Sequence, residues 1–148
     1  MPPGQQAPAQ AIPPASAAPA QFISQADAIC AELQATDRPL ELRAEALSRE
    51  ASTVSRRLLA GLFDESIALA RAADAKLAAL ARPAAERATI AELLTGYGSE
   101  AQDVSHLTTA LRQNEPSLQE SSEAALKGTE ESDRALARSL GLKVCAQE

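Results

Sequence analysis

Aromatic residues are almost absent from this 148-residue sequence, which has two Phe, one Tyr and no Trp, together 2% of the chain. Because aromatic and β-branched side chains favour strands, their scarcity argues against a sheet. Ala, Leu, Glu, Arg and Gln, which are strong helix formers, are common instead. The composition therefore predicts an all-α protein with a core made mainly of Leu and Ala.

Basic residues are also scarce: 14 Lys and Arg face 20 Asp and Glu, for a net charge of −6. A nucleic-acid partner is therefore excluded, since such binding needs a basic face. The longest apolar run, Leu58–Phe63, is far too short for a transmembrane segment. The start of the chain has neither the basic region nor the apolar centre of a signal peptide, so we expect no signal sequence in this chain.

Histidine occurs once, as His106, and the sequence has no C-x-x-C motif, phosphate-binding glycine loop or nucleophile motif. A zinc or copper site needs more nitrogen or sulfur ligands than one histidine supplies. We expect His106 to be exposed, and we predict no catalytic residue, no metal site and no cofactor. On this interpretation the protein is not an enzyme.

Acidic residues are concentrated in the last third of the chain. A paired-carboxylate enzyme would need two of them to converge in a cleft with different pKa values. The spacing of Glu123 from Lys127, and of Glu130 from Arg134, instead indicates i,i+4 pairs on a solvated helix face. The residues concerned are Glu115, Glu120, Glu123, Glu130, Glu131 and Asp133.

The two cysteines, Cys30 and Cys145, lie near opposite ends of the sequence. In an oxidising compartment they would most simply form one disulfide that closes most of the chain into a loop. Two buried free thiols are the alternative. A loop of this length corresponds to about 4 to 5 kcal/mol of stabilisation by restriction of the unfolded chain.

Residues 1–21 consist almost entirely of Pro, Ala, Gln and Ser and are predicted to be a disordered linker. A helical domain is predicted over residues 22–148. Its first helix should be short, with Ser24 as N-cap and an end near Ala35. A turn at Thr36–Pro39 should follow, since the residue before a proline avoids helical angles.

A second, long helix is predicted from Leu40 to Pro83, with a kink near Gly61. Its expected apolar face includes Leu47, Ala51, Val54 and Leu58. Pro83 should then lie in the first turn of the third helix, where proline is tolerated.

The third helix has the clearest periodicity, a heptad seam from Ile90 to Leu111. Gly96 and Gly98 leave two alternatives: a continuous helix with close approach of a neighbour, or a break followed by a restart at Ser99. Continuity is favoured because the heptad phase is kept. The same seam would also allow pairing between chains, so we expect a monomer or a weak homo-oligomer.

The fourth helix is predicted from Leu118 to about Ser139, capped by Ser117 and ended by Gly141. Polar Ser and Thr side chains interrupt its apolar face, so its core contact should be partly polar. With short connections the four helices alternate in direction and form an up-and-down four-helix bundle. This topology brings the two cysteines to the same end.

Tyr97, between two glycines in an alanine-rich bundle, has two interpretations. It either fills space in the core or lines a small apolar cavity that binds a ligand.

The phrase F-I-S-Q-A-D-A-I-C at residues 22–30 and the segment G-L-K-V-C at residues 141–145 resemble the ends of small secreted proteins and lipoproteins of actinobacteria. The resemblance implies an extracytoplasmic location in a bacterium and no known activity. This chain has no cysteine before Cys30 that would accept a lipid. The function expected from the sequence is an interaction or structural module that binds an unknown protein partner in the cell envelope. The alternative is a small-molecule-binding bundle with a cavity near Tyr97.

Overall fold

The computed structural model describes residues 16–147, which form four α-helices and two short 3₁₀ turns. The predicted all-α fold is confirmed, since the described residues contain no strand. Residues 1–15, most of the predicted linker, lie outside the described residues. The helices are α1 Pro19–Ser48, α2 Thr53–Ala78, α3 Arg87–Gln113 and α4 Pro116–Ser139; the 3₁₀ turns are Ala84–Glu86 and Cys145–Gln147.

The first helix is much longer than predicted, and the predicted turn at Thr36–Pro39 is wrong. α1 starts at Pro19 with Ala18 as N-cap and runs through Pro39. Ser24 therefore lies inside the helix and does not cap it. The Asp37 side chain, expected in the turn, accepts a hydrogen bond from Ser66 Oγ of α2 at 2.6 Å, which joins α1 to α2 next to the proline.

The predicted long second helix is also wrong, because the chain breaks at residues 49–52 and not near Gly61. Ser52 is the N-cap of α2, where its side chain accepts a hydrogen bond from Ser55 N at 3.0 Å. With this break, the side of α2 that is buried differs from the predicted apolar face. Val54 and Leu58, expected in the core, are 66% and 53% exposed.

The third helix is continuous from Arg87 to Gln113, as predicted, and Gly96 and Gly98 do not interrupt it. Pro83 precedes it as the cap of the 3₁₀ turn. Asn114, in the left-handed conformation with φ 53°, ends α3. Pro116 then opens α4, with Glu115 as N-cap, so the prediction that Ser117 caps this helix is wrong.

A glycine cap ends α4 and turns the chain back towards α1. Gly141 has φ 81°, and Leu142 N donates to the Ala137 carbonyl at 3.0 Å. This is the hydrogen bond of a Schellman motif, in which glycine is favoured because it has no Cβ. The predicted end of the helix at Ser139 is confirmed.

The returning C-terminal segment is held by α1. The Asp27 carboxylate accepts hydrogen bonds from the backbone N–H groups of Lys143, Val144 and Cys145 at 3.0–3.2 Å. Gln34 Nε2 donates to the Val144 carbonyl at 3.0 Å. Cys30 and Cys145 form the predicted disulfide, with their Cα atoms 5.3 Å apart.

The main core surrounds this disulfide. It joins Phe22, Ala26 and Cys30 of α1 to apolar residues of the other three helices and of the C-terminal segment. A smaller core at the other end contains Leu59, Ala60, Leu107 and Leu111. The disulfide thus lies at the end of the bundle that has the larger core.

Candidate functional site

The helices pack in sequence, and the fourth side of the bundle is open. α1 packs against α2, α2 against α3, and α3 against α4, and the C-terminal 3₁₀ turn contacts both α1 and α4. The backbones of α1 and α4 make no close contact with each other. Beyond the C-terminal turn, a cleft of about 510 Å³ remains between them, which we call the α1–α4 cleft.

All four helices contribute apolar side chains to the α1–α4 cleft. Several of these side chains are half-buried, so they would lose further contact with water if a ligand covered them. The apolar lining includes Leu33 of α1, Ile67, Ala70 and Leu77 of α2, Val104 of α3 and Leu126 of α4.

Tyr97, the single residue that the sequence suggested for a ligand cavity, lines the α1–α4 cleft from α3. It also borders a second, much smaller cavity of about 10 Å³ beside Phe22 and Ile90. That apolar space is at the lower limit for one water molecule. Tyr97 is half-buried and borders both the small core cavity and the open cleft.

Carboxyl groups are gathered around the cleft to a degree that the sequence did not predict. Asp74 of α2, Glu100 of α3 and Glu130 of α4 line it. Asp133 lies next to them and is only 3% exposed. The interpretation of the acidic residues as a solvated face is therefore wrong for Glu130 and Asp133, which are half-buried and buried respectively.

The burial of these carboxyl groups changes their acidity. Burial, and then the negative charge of Asp133, raises the pKa of Asp74 to about 6. Burial raises the pKa of Glu130, although the charge of Arg134 opposes the rise. Burial also raises the pKa of Asp133, against a hydrogen bond with the Glu100 side chain that lowers it. A hydrogen bond between two carboxyl groups requires a proton on one of them.

Asp133 reaches this position because Gly96 makes room for it. A Cβ at residue 96 would overlap the Asp133 carboxyl group, whereas a Cβ at Gly98 would meet no atom. The sequence indicated a close approach of a neighbouring helix at these glycines but not that an acidic side chain would fill the space. The pattern G-Y-G gives no sign of which glycine is needed.

Cys30 of the disulfide also lines the cleft, whereas His106 and the other acidic residues named from the sequence do not. His106 is exposed on α3, as expected. Glu115, Glu120, Glu123 and Glu131 are exposed. No group of three or more His, Cys, Asp and Glu side chains within residues 16–147 is arranged to hold a metal ion. Within the same residues, no helix has the length and apolar character needed to cross a membrane.

Comparison with known proteins gives no relative: no protein-family model, no curated protein and no solved structure matches this chain.

Proposed function

We propose that this protein is a binding protein that takes a small organic molecule into the α1–α4 cleft. One observation carries the proposal: α1 and α4 are separated above a floor formed by α2 and α3, leaving about 510 Å³ that is lined by apolar side chains of all four helices together with polar and charged ones. Ligand pockets are concave, mostly apolar and about 300 to 1,000 Å³ in volume. Of the two functions expected from the sequence, the geometry favours the small-molecule binder.

The proposed location is outside the cytoplasm, in or near the cell envelope of a bacterium. The disulfide between Cys30 and Cys145 supports it, because disulfides persist in oxidising compartments and are rare in the cytosol. The resemblance of the two end segments to secreted actinobacterial proteins points to the same location.

The binding function can be tested with N-phenyl-1-naphthylamine, a neutral dye whose fluorescence rises in apolar sites. The expected result is saturable binding at one dye per chain. Ala70, half-buried on α2, lines the cleft, so Ala70→Phe fills it and should weaken dye binding at least about tenfold. Ala68→Phe, at an exposed position of the same helix outside the cleft, is the matched control and should bind like the original protein.

The proposal is overturned if the dye shows no saturable binding, or if Ala70→Phe binds it as well as the original protein does. Far-UV circular dichroism and urea unfolding of both variants establish that the fold is kept in the comparison.

A second candidate function, binding of a protein partner in the cell envelope, is favoured by a separate observation. Val54 and Leu58 are one helical turn apart on α2 and are mostly exposed. Exposed apolar side chains at adjacent positions are a feature of protein interaction sites. A photo-crosslinking residue at position 58, in protein exported by a bacterial host, should give a discrete crosslinked product. The same residue at exposed position 72 of α2 should not.

A further inference from the structure

We propose that the α1–α4 cleft selects an organic cation, an amine or guanidinium group on an apolar tail, and that Asp74 binds its charge. This inference rests on the proposed binding function and specifies the chemical class of the ligand. Its support comes from the sign of the charges in the cleft, from the position of Asp74 and from the acidic interior behind it.

The charged side chains that line the cleft are almost all acidic. Five carboxyl side chains line it, compared with a single basic side chain, that of Arg38. Arg38 is an outer residue, with its side chain 61% exposed, and its Nη1 lies 3.2 Å from Glu41 Oε2. It therefore offers little charge to the deeper part of the cleft. The five acidic residues are Asp37, Glu41, Asp74, Glu100 and Glu130.

Asp74 is the carboxyl group best placed to bind a cation. It lies on α2 among the apolar floor residues Ala70, Ala73 and Leu77, and none of the described residues forms an ion pair with it. Its half-buried carboxylate has the negative charge of Asp133 nearby. A partly desolvated carboxylate without a counter-charge is unfavourable. A cation beside it would therefore bind with a more favourable free energy than beside a carboxylate in water.

The interior behind Asp74 adds to the excess of negative charge. Asp133 is buried, and its Oδ2 atom has no hydrogen-bond partner among the described residues. Its hydrogen bond with Glu100 joins two acidic groups. At the edge of this cluster, the positive charge of Arg134 lowers the pKa of Glu130 and so partly opposes the effect of burial. An anionic ligand would therefore be repelled, and the described residues do not provide a metal site.

The apolar lining indicates the chemical nature of the part of the ligand that lies outside the cationic group. A hydrated inorganic cation would leave Leu33, Ile67 and Leu126 uncovered, whereas an alkyl or aryl tail would bury them. Tyr97 adds an aromatic ring to the lining, and such rings bind alkylammonium groups and apolar tails alike. The combination of apolar walls and a carboxylate in the floor fits an amphipathic amine.

The test uses three probes of equal chain length: octylamine, octanol and octanoate. Binding is measured by isothermal titration calorimetry and by NMR shift changes at the cleft residues, at about pH 7.5 where Asp74 is ionised. We expect octylamine to bind at least about tenfold more tightly than octanol, and octanoate to show no binding. Asp74→Asn should reduce the affinity for octylamine to that for octanol. Glu65→Gln, the same loss of charge at an exposed position of α2, should change neither.

The pH dependence gives a second readout. Between about pH 7.5 and pH 5, octylamine affinity should fall as Asp74 takes up a proton, while octanol affinity should not. Replacement of Asp74 by Asn should remove most of this fall, which separates its contribution from those of the other groups. The ionisable groups that face Asp74 or line the same cleft are Asp37, Arg38 and Glu41 of α1, Tyr97 and Glu100 of α3, and Glu130, Asp133 and Arg134 of α4.

The failures of the two proposals are distinguishable. If octanol binds as tightly as octylamine, or if Asp74→Asn keeps the preference for octylamine, the inference is overturned while the binding function stands. If neither octylamine nor octanol binds, the inference is overturned, and the binding function is overturned with it if the neutral dye does not bind either.

Discussion

Gly96 and Gly98 flank Tyr97 and are indistinguishable in the sequence, yet their surroundings differ completely. A methyl group at residue 96 would overlap the buried Asp133 carboxyl group, whereas residue 98 is exposed and has open space at its Cβ position. Helix α3 needs no glycine for its own conformation, since neither residue has a positive φ. Gly96 is thus required by the neighbouring helix and Gly98 is not.

Substituting each glycine by alanine should therefore have opposite effects. We expect Gly96→Ala to destabilise the protein by about 1–2 kcal/mol, because overpacking outweighs the gain in helix propensity. Gly98→Ala should stabilise it by about 0.5–1 kcal/mol. Urea unfolding followed by far-UV circular dichroism measures both. Equal changes in the two variants would mean that α3 and α4 are not in close contact at residue 96.

Single side chains were the hardest feature to predict from the sequence. No local pattern around Asp27 indicates that it accepts three hydrogen bonds from the C-terminal segment, 116–118 positions away. Asp133 was assigned to a solvated face and is buried against Gly96. Both positions depend on which helices are neighbours in space, and local patterns do not contain that information. His106 has no such partner in the core, and its predicted exposure is confirmed.

At the scale of the helices, Pro39 was a misleading signal and Ser52 an overlooked one. A proline inside a helix removes one hydrogen bond and costs about 3 kcal/mol. α1 nevertheless continues through it, since Leu40, Ala44 and Leu47 on the far side are partly buried. The true end of α1 contains neither proline nor glycine. Its signal is the serine cap of α2, which a search for helix breakers passes over.

Because Pro39 lies inside α1, we predict that it reduces the stability of the native fold. Pro39→Ala should stabilise the protein by about 1–2 kcal/mol, as the recovered helix energy exceeds the entropy that the unfolded chain regains. The control is Pro19→Ala, at the start of the same helix, where proline is tolerated and no gain is expected. Thermal unfolding of the two variants provides the measurement. A neutral or destabilising Pro39→Ala would show that α1 depends on the bend that proline imposes.

At the scale of the whole molecule, the buried carboxyl groups make stability depend on pH. The pKa of Asp74 is raised from 3.8 to about 6, and those of Glu130 and Asp133 are raised as well. For each group, the native state therefore binds more protons than the unfolded state at a pH between its ordinary pKa and its raised pKa. The stabilising contribution of Asp74 is complete below about pH 4 and is lost as the pH rises through about 6. The raised pKa values of Glu130 and Asp133 act in the same direction.

We expect the urea midpoint to rise when the pH is lowered from about 7.5 to about 5. Asp74→Asn should raise the midpoint at the higher pH and make it less dependent on pH, because the amide keeps the volume and removes the charge. Glu65→Gln, which removes an exposed charge from the same helix, should leave the slope unchanged. A midpoint that falls on acidification to about pH 5 would contradict the raised pKa values.

The topology of the whole molecule was the most predictable feature, because it follows from few constraints. Four helices joined by short connections must alternate in direction, and this places Cys30 and Cys145 at one end, where they form the disulfide. The α1–α4 cleft was not predictable, apart from the hypothesis of a cavity near Tyr97. It lies between α1 and α4, which both contact the C-terminal turn but not each other, and sequence periodicity contains no information on such spacing.

Besides apolar packing, the disulfide, three hydrogen bonds to Asp27 and one from Gln34 join the C-terminal segment to α1. The disulfide closes a separation of 115 residues, and removing it as Cys30→Ala with Cys145→Ala should destabilise the protein by about 4–5 kcal/mol. Intact mass after alkylation in denaturant should show no reactive thiol until a reductant is added.

Urea unfolding of the double variant then measures how much the disulfide adds to the stability given by the Asp27 and Gln34 hydrogen bonds. Loss of the full 4–5 kcal/mol without a change in α-helix content would show that the cross-link acts mainly by restricting the unfolded chain. A loss well below about 2 kcal/mol would show that the cross-link restricts the unfolded chain less than the chain-entropy model gives. If the variant also keeps its native structure, the Asp27 and Gln34 hydrogen bonds hold the segment without the disulfide. In that case the α1–α4 cleft should keep its dye affinity in the reduced protein, because the C-terminal turn would still separate the two helices.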